Sequence, residues 1–310
     1  MSLTTSIIIP AFNEANRIAA GVQRLLPVID EIGPDRVEVV FVDDGSTDGT
    51  PAAAAAALSG LPHVVAISYP DNRGKGAALR MGALRATAPT VALMDADAAI
   101  SPRHLPGAIA ALDTADFVAG SRAVEGAIHY DSPVRTAAGR LFNLAVRRTI
   151  GTTLDDTQCG FKVMRSGVAR LCGLLGTVDR FAFDAEWIFL ATASGQRVVS
   201  SPVTWDDVPG STVRVRHDAL RMLRDIRGIP QHRYDVQSVT IPPGFSLDDL
   251  ATTARRARLG GLCVARGPEH DLIILPNDGA PGGIGMAKVL GGAIGIVQLA
   301  DLRGRTLEAF

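Results

Sequence analysis

Four short apolar runs, each ending in a polar turn, most limit what this chain can fold into. Ser6-Ile7-Ile8-Ile9 runs into Pro10-Ala11-Phe12-Asn13-Glu14, and residues 37–42 run into Asp43-Asp44-Gly45-Ser46-Thr47-Asp48-Gly49-Thr50. A third run, residues 64–68, precedes Asn72-Arg73-Gly74-Lys75-Gly76, and Val91-Ala92-Leu93-Met94 ends in Asp95-Ala96-Asp97. Helices are expected between them over residues 14–28 and 51–58, the second almost pure alanine, with Asp48 or Thr50 as its cap and Pro51 in its first turn. Strand and helix alternate, which reads as a parallel sheet covered by helices, with its polar residues gathered at one edge.

The fourth run carries the sharpest chemistry. A buried strand that ends in Asp95 and Asp97 places acid groups where an α/β sheet binds ligands. Two hard oxygen donors there suit Mg²⁺ or Mn²⁺, and such an ion suits a diphosphate. Acids at strand ends often only cap or solvate a turn, so an isolated Asp-x-Asp says little. Here three other polar turns accompany it. The Asn72-Arg73-Gly74-Lys75-Gly76 turn is not a P-loop, but a glycine-rich turn opening a helix still offers N–H groups to a nucleotide.

The order PAFNE, VDDGSTDGT, NRGKGAAL, MDADA resembles the inverting glycosyltransferases of family 2. Gly120-Ser121-Arg122, Asp156-Thr157-Gln158-Cys159-Gly160-Phe161-Lys162 and Phe181-Ala182-Phe183-Asp184-Ala185-Glu186 narrow the likeness to the branch making polyprenyl- or dolichyl-phosphate sugars. It is most similar to the dolichyl-phosphate β-glucosyltransferases, through residues 4–230. The resemblance implies a GT-A fold over residues 1–234: Rossmann-like α/β, a mostly parallel central sheet with helices on both faces. It also implies a nucleotide-sugar donor, with UDP-glucose favoured and GDP-mannose the alternative, and a lipid-linked phosphate acceptor.

Residue roles follow from the same resemblance. Pro10, Ala11 and Glu14 would line the nucleobase slot, and Asp44 would contact base or ribose while Asp43 holds the loop. Arg73 and Lys75 would border the nucleotide. Asp95 would face the ribose and Asp97 the metal, the two forming the acidic pair for Mg²⁺ or Mn²⁺. Ala99 stands where some mannosyl relatives carry glutamine, so the resemblance does not carry over a second side-chain metal contact. Asp156 or Gln158 would bond sugar hydroxyls, and Asp184 and Glu186 would close the sugar pocket, although acids in a first helical turn also favour the helix dipole.

A phosphate monoester loses its second proton near pH ~6, so such an acceptor needs orientation rather than a strong base. Arginines suit that task through bidentate donation, and Arg122, Arg135 and Arg140 are the candidates. The other reading of Arg135 and Arg140 is a solvated helix face. Two further functions stay open. One is transfer to a soluble hydroxyl acceptor with Asp156, Asp184 or Glu186 as base; the other is a non-catalytic nucleotide-sugar-binding protein, against which Asp95 and Asp97 argue. Cys159 reads as a packed thiol, since inverting transfer needs no covalent intermediate.

At 310 residues the chain can hold one large core plus a small appendix. A net charge of −1 gives no field that seeks polyanions, and no nucleic-acid-binding pattern is present. Three cysteines suggest no disulfide framework, and the start carries no signal-peptide pattern, so a cytoplasmic location is expected. Residues 213–233 set Arg214, Arg216, Arg221, Arg224, Arg227 and Arg233 against Leu220, Leu223, Ile226 and Ile229. That pattern fits either an interfacial helix on anionic lipid, peripheral at the inner membrane face, or a solvated face over the core. The stretch 282–300 is glycine-rich and broken by Lys288 and Gln298, which favours buried structure over a membrane span. Residues 235–310 read as a small α+β appendix, with a break at Ile241-Pro242-Pro243-Gly244 and a helix over 247–258 capped by Ser246. Homodimer formation, regulation and shaping of the acceptor site are the roles open to it.

Overall fold

Each strand near the N-terminus alternates its side chains between two apolar layers, and this decides the architecture. Ile7, Ile9, Val39, Phe41 and Ala92 join one cluster, while Ile8, Val40, Val42, Val91 and Leu93 join the other. Both faces of the sheet therefore need a helical cover. The computed structural model describes residues 2–122, 133–204, 215–231, 234, 236–240, 263–267, 271–275 and 294–309, with backbone alone at 133–141, 215–220, 236–240, 275 and 294–297.

The first seven elements are β1 (Thr5–Ala11), α1 (Ile18–Ile32), β2 (Val37–Asp43), α2 (Thr50–Leu58), β3 (Val64–Ser68), α3 (Lys75–Arg85) and β4 (Thr90–Leu93). There follow α4 (Leu105–Ala111), β5 (Phe117–Ser121), α5 (Pro133–Ile150), β6 (Lys162–Arg165), α6 (Ser166–Leu175), α7 (Phe183–Ala193) and β7 (Val198–Pro202). The sheet order is β3-β2-β1-β4-β6-β5-β7. Strands β1 to β4 pair in parallel, β6 runs antiparallel to β4 and β5, and β7 is parallel to β5. One layer is closed by α1, α2 and α4 through Ile18, Leu25, Ala54 and Leu105; the other by α3, α6 and α7 through Leu79, Leu171 and Trp187. The expected mostly parallel α/β sheet with helices on both faces is what forms.

The first helix starts later than its sequence suggests, at Ile18, because the preceding N–H groups bond elsewhere. Glu14 N donates to Thr50 Oγ1 (2.7 Å) and Ala15 N to Asp48 Oδ2 (3.3 Å). The helix also runs through Pro27 to Ile32. In α2 the N-cap position is Gly49 rather than the expected Asp48 or Thr50, while the first N–H, that of Thr50, donates to Asp48 Oδ1 (2.9 Å) from one residue further back.

Past β7 come α8 (Val215–Gly228), β8 (Val236–Thr240), β9 (Cys263–Arg266), β10 (Leu272–Leu275), β11 (Ile294–Val297) and β12 (Thr306–Ala309). These strands form an antiparallel sheet in the order β11-β8-β10-β9-β12. Its Cys263, Ala265, Leu272, Ile274 and Leu307 share a single apolar cluster with α6, which is buried from Gly167 to Leu175. Arg170 ties α6 to the main unit: its Nη1 and Nη2 donate to the carbonyls of Leu84 and Ala86 at the end of α3. The segment 241–244 and the helix expected over 247–258 lie outside the described residues. Among the described residues no helix is long and apolar enough to cross a membrane.

Candidate active site

Strand β1 lies between β2 and β4, so the sheet changes direction of growth there, and the carboxyl ends of all three converge. Pro10 and Ala11 are buried at the end of β1, and Ala11 O accepts the Asp44 N–H (2.8 Å). Asn13, with φ 56°, stitches the next turn: its N donates to Ser46 Oγ (2.9 Å) and its Oδ1 accepts from Thr47 N (2.9 Å). Asn13 fastens two loops rather than capping a helix.

Both acids of the Asp43-Asp44 pair are 2% exposed and committed to loop bonds. Asp43 Oδ2 accepts from Ser68 Oγ (2.7 Å). Asp44 Oδ1 accepts from Arg73 N (2.9 Å), and Oδ2 from Asn72 Nδ2 (2.9 Å) and Gly74 N (2.8 Å). Burial pushes the Asp44 carboxyl up, against the pull of those N–H groups. Asp44 thus fixes the 72–74 turn. That turn leaves Arg73 exposed, with its guanidinium 4.9 Å over the Tyr69 ring.

At the tip of β4, Asp95 and Asp97 each meet a basic side chain from a different element. Lys75 Nζ is 2.5 Å from Asp95 Oδ1, and Arg17 Nη1 is 3.3 Å from Asp97 Oδ2. Arg17 also holds Glu14 through Nη2 to Oε1 (2.6 Å). Burial works against charge on Asp95, but Lys75, Lys162 and Arg122 outweigh it and hold the carboxyl below its ordinary range. Lys75, in turn, is held charged above its usual range: the carboxylates of Asp95, Asp184 and Asp97 together exceed the cost of burial. Gly160 makes room for this tip, since a Cβ there would stand 2.5 Å from Asp95 Oδ2. A small cavity lined by Met94, Asp95, Ala98, Ile100 and Phe161 lies against it.

A second cluster faces the same carboxylate. Arg122, at the end of β5, grips Asp156 through Nε to Oδ2 (2.8 Å) and Nη2 to Oδ1 (3.2 Å), and its own backbone N donates to Oδ2 (3.1 Å). Asp156 sits below the ordinary carboxylate range because Arg122 prevails over burial. Lys162 is fully buried and bonded to Asp184 and to Cys159 O (2.5 Å). Burial pushes Asp184 up despite Lys162 and Lys75. The Cys159 thiol is pushed up to about 12 by burial and by Asp156, so it stays protonated.

The structure therefore brings together Glu14, Lys75, Asp95, Asp97, Arg122, Asp156, Asp184 and Gln158, close to the ends of β1, β4 and β5. Glu186 goes elsewhere: its carboxylate accepts from Thr177, Val178 and Tyr234. Arg135 and Arg140 lie on α5, with side chains outside the described set. Arg17 and Lys162 escaped the sequence reading. A signal for Lys162 did exist, because lysine is rare in this chain (Lys75, Lys162 and Lys288 among 31 basic residues) and two of the three surround Asp95.

Among the described residues no three His, Cys, Asp or Glu side chains gather as a closed metal cage. Two carboxylates without a third fit Mg²⁺ or Mn²⁺ well, since such ions take one or two carboxylates and complete their shell with substrate phosphates and water. Two buried oxygens, Glu14 Oε2 and Gln158 Oε1, have no hydrogen-bond partner among the described residues. Acceptors left open beside the acidic tip fit a ligand that brings hydroxyl or N–H donors.

A family model described as glycosyl transferase family 2 matches residues 6–171. A dolichyl-phosphate beta-glucosyltransferase of Drosophila melanogaster is 32% identical over 240 residues, covering 73% of this chain and 74% of its own. The dolichyl-phosphate beta-glucosyltransferase ALG5C of Trichomonas vaginalis is 29% identical over 223 residues, 68% of this chain and 66% of that one. This chain thus spans about two thirds of that relative. Among solved structures, glucosyl-3-phosphoglycerate synthase of Mycobacterium tuberculosis, in complex with Mn²⁺ and UDP-glucose, superposes with a TM-score of 0.55. At 18% identity, over 79% of this chain and 85% of that one, this is a likeness of fold.

Proposed function

The chain belongs to glycosyl transferase family 2, and we propose that it moves glucose from UDP-glucose to the phosphate of a polyprenyl or dolichyl lipid, with inversion at the sugar. The observation that carries this reading is the tip of β4: Asp95 and Asp97 at the sheet's switch point, facing Lys75, Arg122 and Lys162. A site with two acids and this many cations suits a metal–diphosphate donor on one side and an anionic acceptor on the other. The relatives named dolichyl-phosphate beta-glucosyltransferases support glucose and a lipid phosphate as the two substrates.

Asp97 and Asp95 would hold Mg²⁺ or Mn²⁺, which supplies charge stabilisation for the departing nucleotide. The remaining work falls to side chains. Pro10, Ala11 and Glu14 bound the nucleoside end, with the open Glu14 Oε2 ready to accept from a base or ribose donor. Asp44 shapes the 72–74 turn, so Arg73 and Lys75 meet the diphosphate in a fixed position. Gln158 and Asp184 border the sugar. Arg122, oriented by Asp156, receives the acceptor phosphate together with Arg135 and Arg140 of α5, and no carboxylate base is required. Residues 1–234 would carry this chemistry and residues 235–310 would form the appended unit. Residues 213–233 would rest on an anionic cytoplasmic leaflet to reach the lipid.

The test is a transfer assay with UDP-glucose and GDP-mannose as donors, against polyprenyl phosphate, dolichyl phosphate and soluble phosphate esters. Lipid-dependent release of UDP is the expected result. Release only with a soluble acceptor would move the protein to another branch. Thermal stabilisation by UDP with Mn²⁺ should rise as RT ln(1 + [L]/Kd) and lose its metal-dependent part in Asp97→Ala. If Asp97→Ala keeps that part in full, the metal assignment fails.

A further inference from the structure

We infer that Glu186 is a positioning residue for the donor site, acting through the loop 177–179 on the turn that presents Lys75 to Asp95; this rests on the reading of that turn as the donor's. The Glu186 side chain is fully buried on α7, and both oxygens are bonded. Oε1 accepts from Thr177 N (2.8 Å), Thr177 Oγ1 (2.7 Å) and Tyr234 Oη (2.9 Å), and Oε2 from Val178 N (3.0 Å). Three of the four donors belong to two consecutive loop residues, so the carboxylate sets the path of that loop.

The loop then bears directly on the start of α3. Asp179 O accepts the Ala77 N–H (3.1 Å), one of the free N–H groups of the first turn. Val178 O lies so close to Gly76 that a Cβ there would stand 2.2 Å from it. Arg80, one turn along α3, returns the contact with Nη1 to Val178 O (3.0 Å) and Nη2 to Asp179 Oδ1 (2.5 Å). Lys75 sits between these contacts, with its Nζ 2.5 Å from Asp95. Its ammonium is therefore aimed by backbone that Glu186 holds. Tyr234 adds a second input, since it lies just before β8 and ties the C-terminal sheet to the same carboxylate.

Glutamine at 186 would present an N–H₂ to donors that need an acceptor, loosening the loop without emptying the core. Amide exchange at Ala77 in the ligand-free protein reads the loop itself, and UDP affinity with Mg²⁺ reads the site. Leu58→Ala, a core truncation at the C-terminal end of α2 on the other face of the sheet, serves as a control for lost stability. Glu186→Gln should speed Ala77 exchange about tenfold relative to Leu58→Ala. It should weaken UDP binding about tenfold, where Leu58→Ala leaves it within about twofold. Thr177→Val removes only one hydroxyl donor and should move both readouts the same way by less, which keeps the test available if Glu186→Gln does not fold. Equal exchange at Ala77 in the Glu186 or Thr177 variant and the control overturns the inference. Wild-type protein that binds no UDP would instead overturn the proposed function, while exchange at Ala77 would still decide this one.

Discussion

Lys162 and Asp184 are bonded to each other inside the protein, their side chains only 1% and 7% exposed. One comes from β6 and the other from the first turn of α7, so the pair locks the antiparallel strand to the helix beside the site. A buried pair of this kind stabilises little against an apolar replacement, but removing one partner leaves an uncompensated charge that costs about 3–5 kcal/mol. Lys162→Met and Asp184→Leu should each lower unfolding free energy by about that amount, and the double variant should recover most of it. A urea-denaturation double-mutant cycle measures this. Additive losses would show that the two groups do not depend on one another.

What could be read in advance, and what could not, follows the range of each interaction. The four strand–turn units were legible because strand alternation and turn chemistry are local. Asp95 and Asp97 stood out because an apolar run leads straight into them. Arg17 was not legible. Three residues after Glu14 it looks like half of a surface i,i+3 pair, and its reach to Asp97 depends on β1 and β4 being neighbours. As a sequence pattern Asp184 and Glu186 suggest one pair closing a pocket, yet residues two apart on a helix point to different sides. Their carboxylates meet Lys162 and Thr177 respectively. A local acid pattern carried no sign of the loop 177–179.

His104 offers a pH test outside the ion pairs. Its Nε2 accepts the Thr204 N–H (2.8 Å), which requires neutral imidazole, and its ring packs edge-on against Phe161. Burial lowers its pKa from 6.5. A base with a depressed native pKa binds fewer protons folded than unfolded between the two values, so stability rises with pH across that window. The contribution is complete above about pH 6.5 and is lost as pH falls through the lower folded-state value. His104→Gln keeps a side-chain acceptor without titrating. Its melting temperature should fall less steeply than that of the wild type just below pH 6.5, whereas parallel profiles would mean that the imidazole takes up its proton as readily in the folded as in the unfolded chain.

The pairing of Arg122 with Asp156 makes the most specific statement about the acceptor. Asp156 takes Nε and Nη2, and the guanidinium side chain is still 34% exposed, so part of its donor fork faces outward in a fixed orientation. Lysine at 122 would keep the charge but could neither hold Asp156 bidentately nor offer a planar edge to phosphate. A charge-assisted hydrogen bond contributes about 1.5–3 kcal/mol, so Arg122→Lys should raise the acceptor KM about 10- to 100-fold. UDP affinity should stay within about twofold, because Asp97, Arg17 and the 72–74 turn are untouched. Asp156→Asn should show the same acceptor defect with Arg122 still present, since an amide cannot fix the guanidinium by two ionic bonds. Steady-state kinetics with varied acceptor, paired with calorimetry of UDP, separates the outcomes. A loss confined to kcat in both variants would place the pair beside the reacting sugar rather than on the acceptor phosphate, and Asp156 would then be the group to examine as a base.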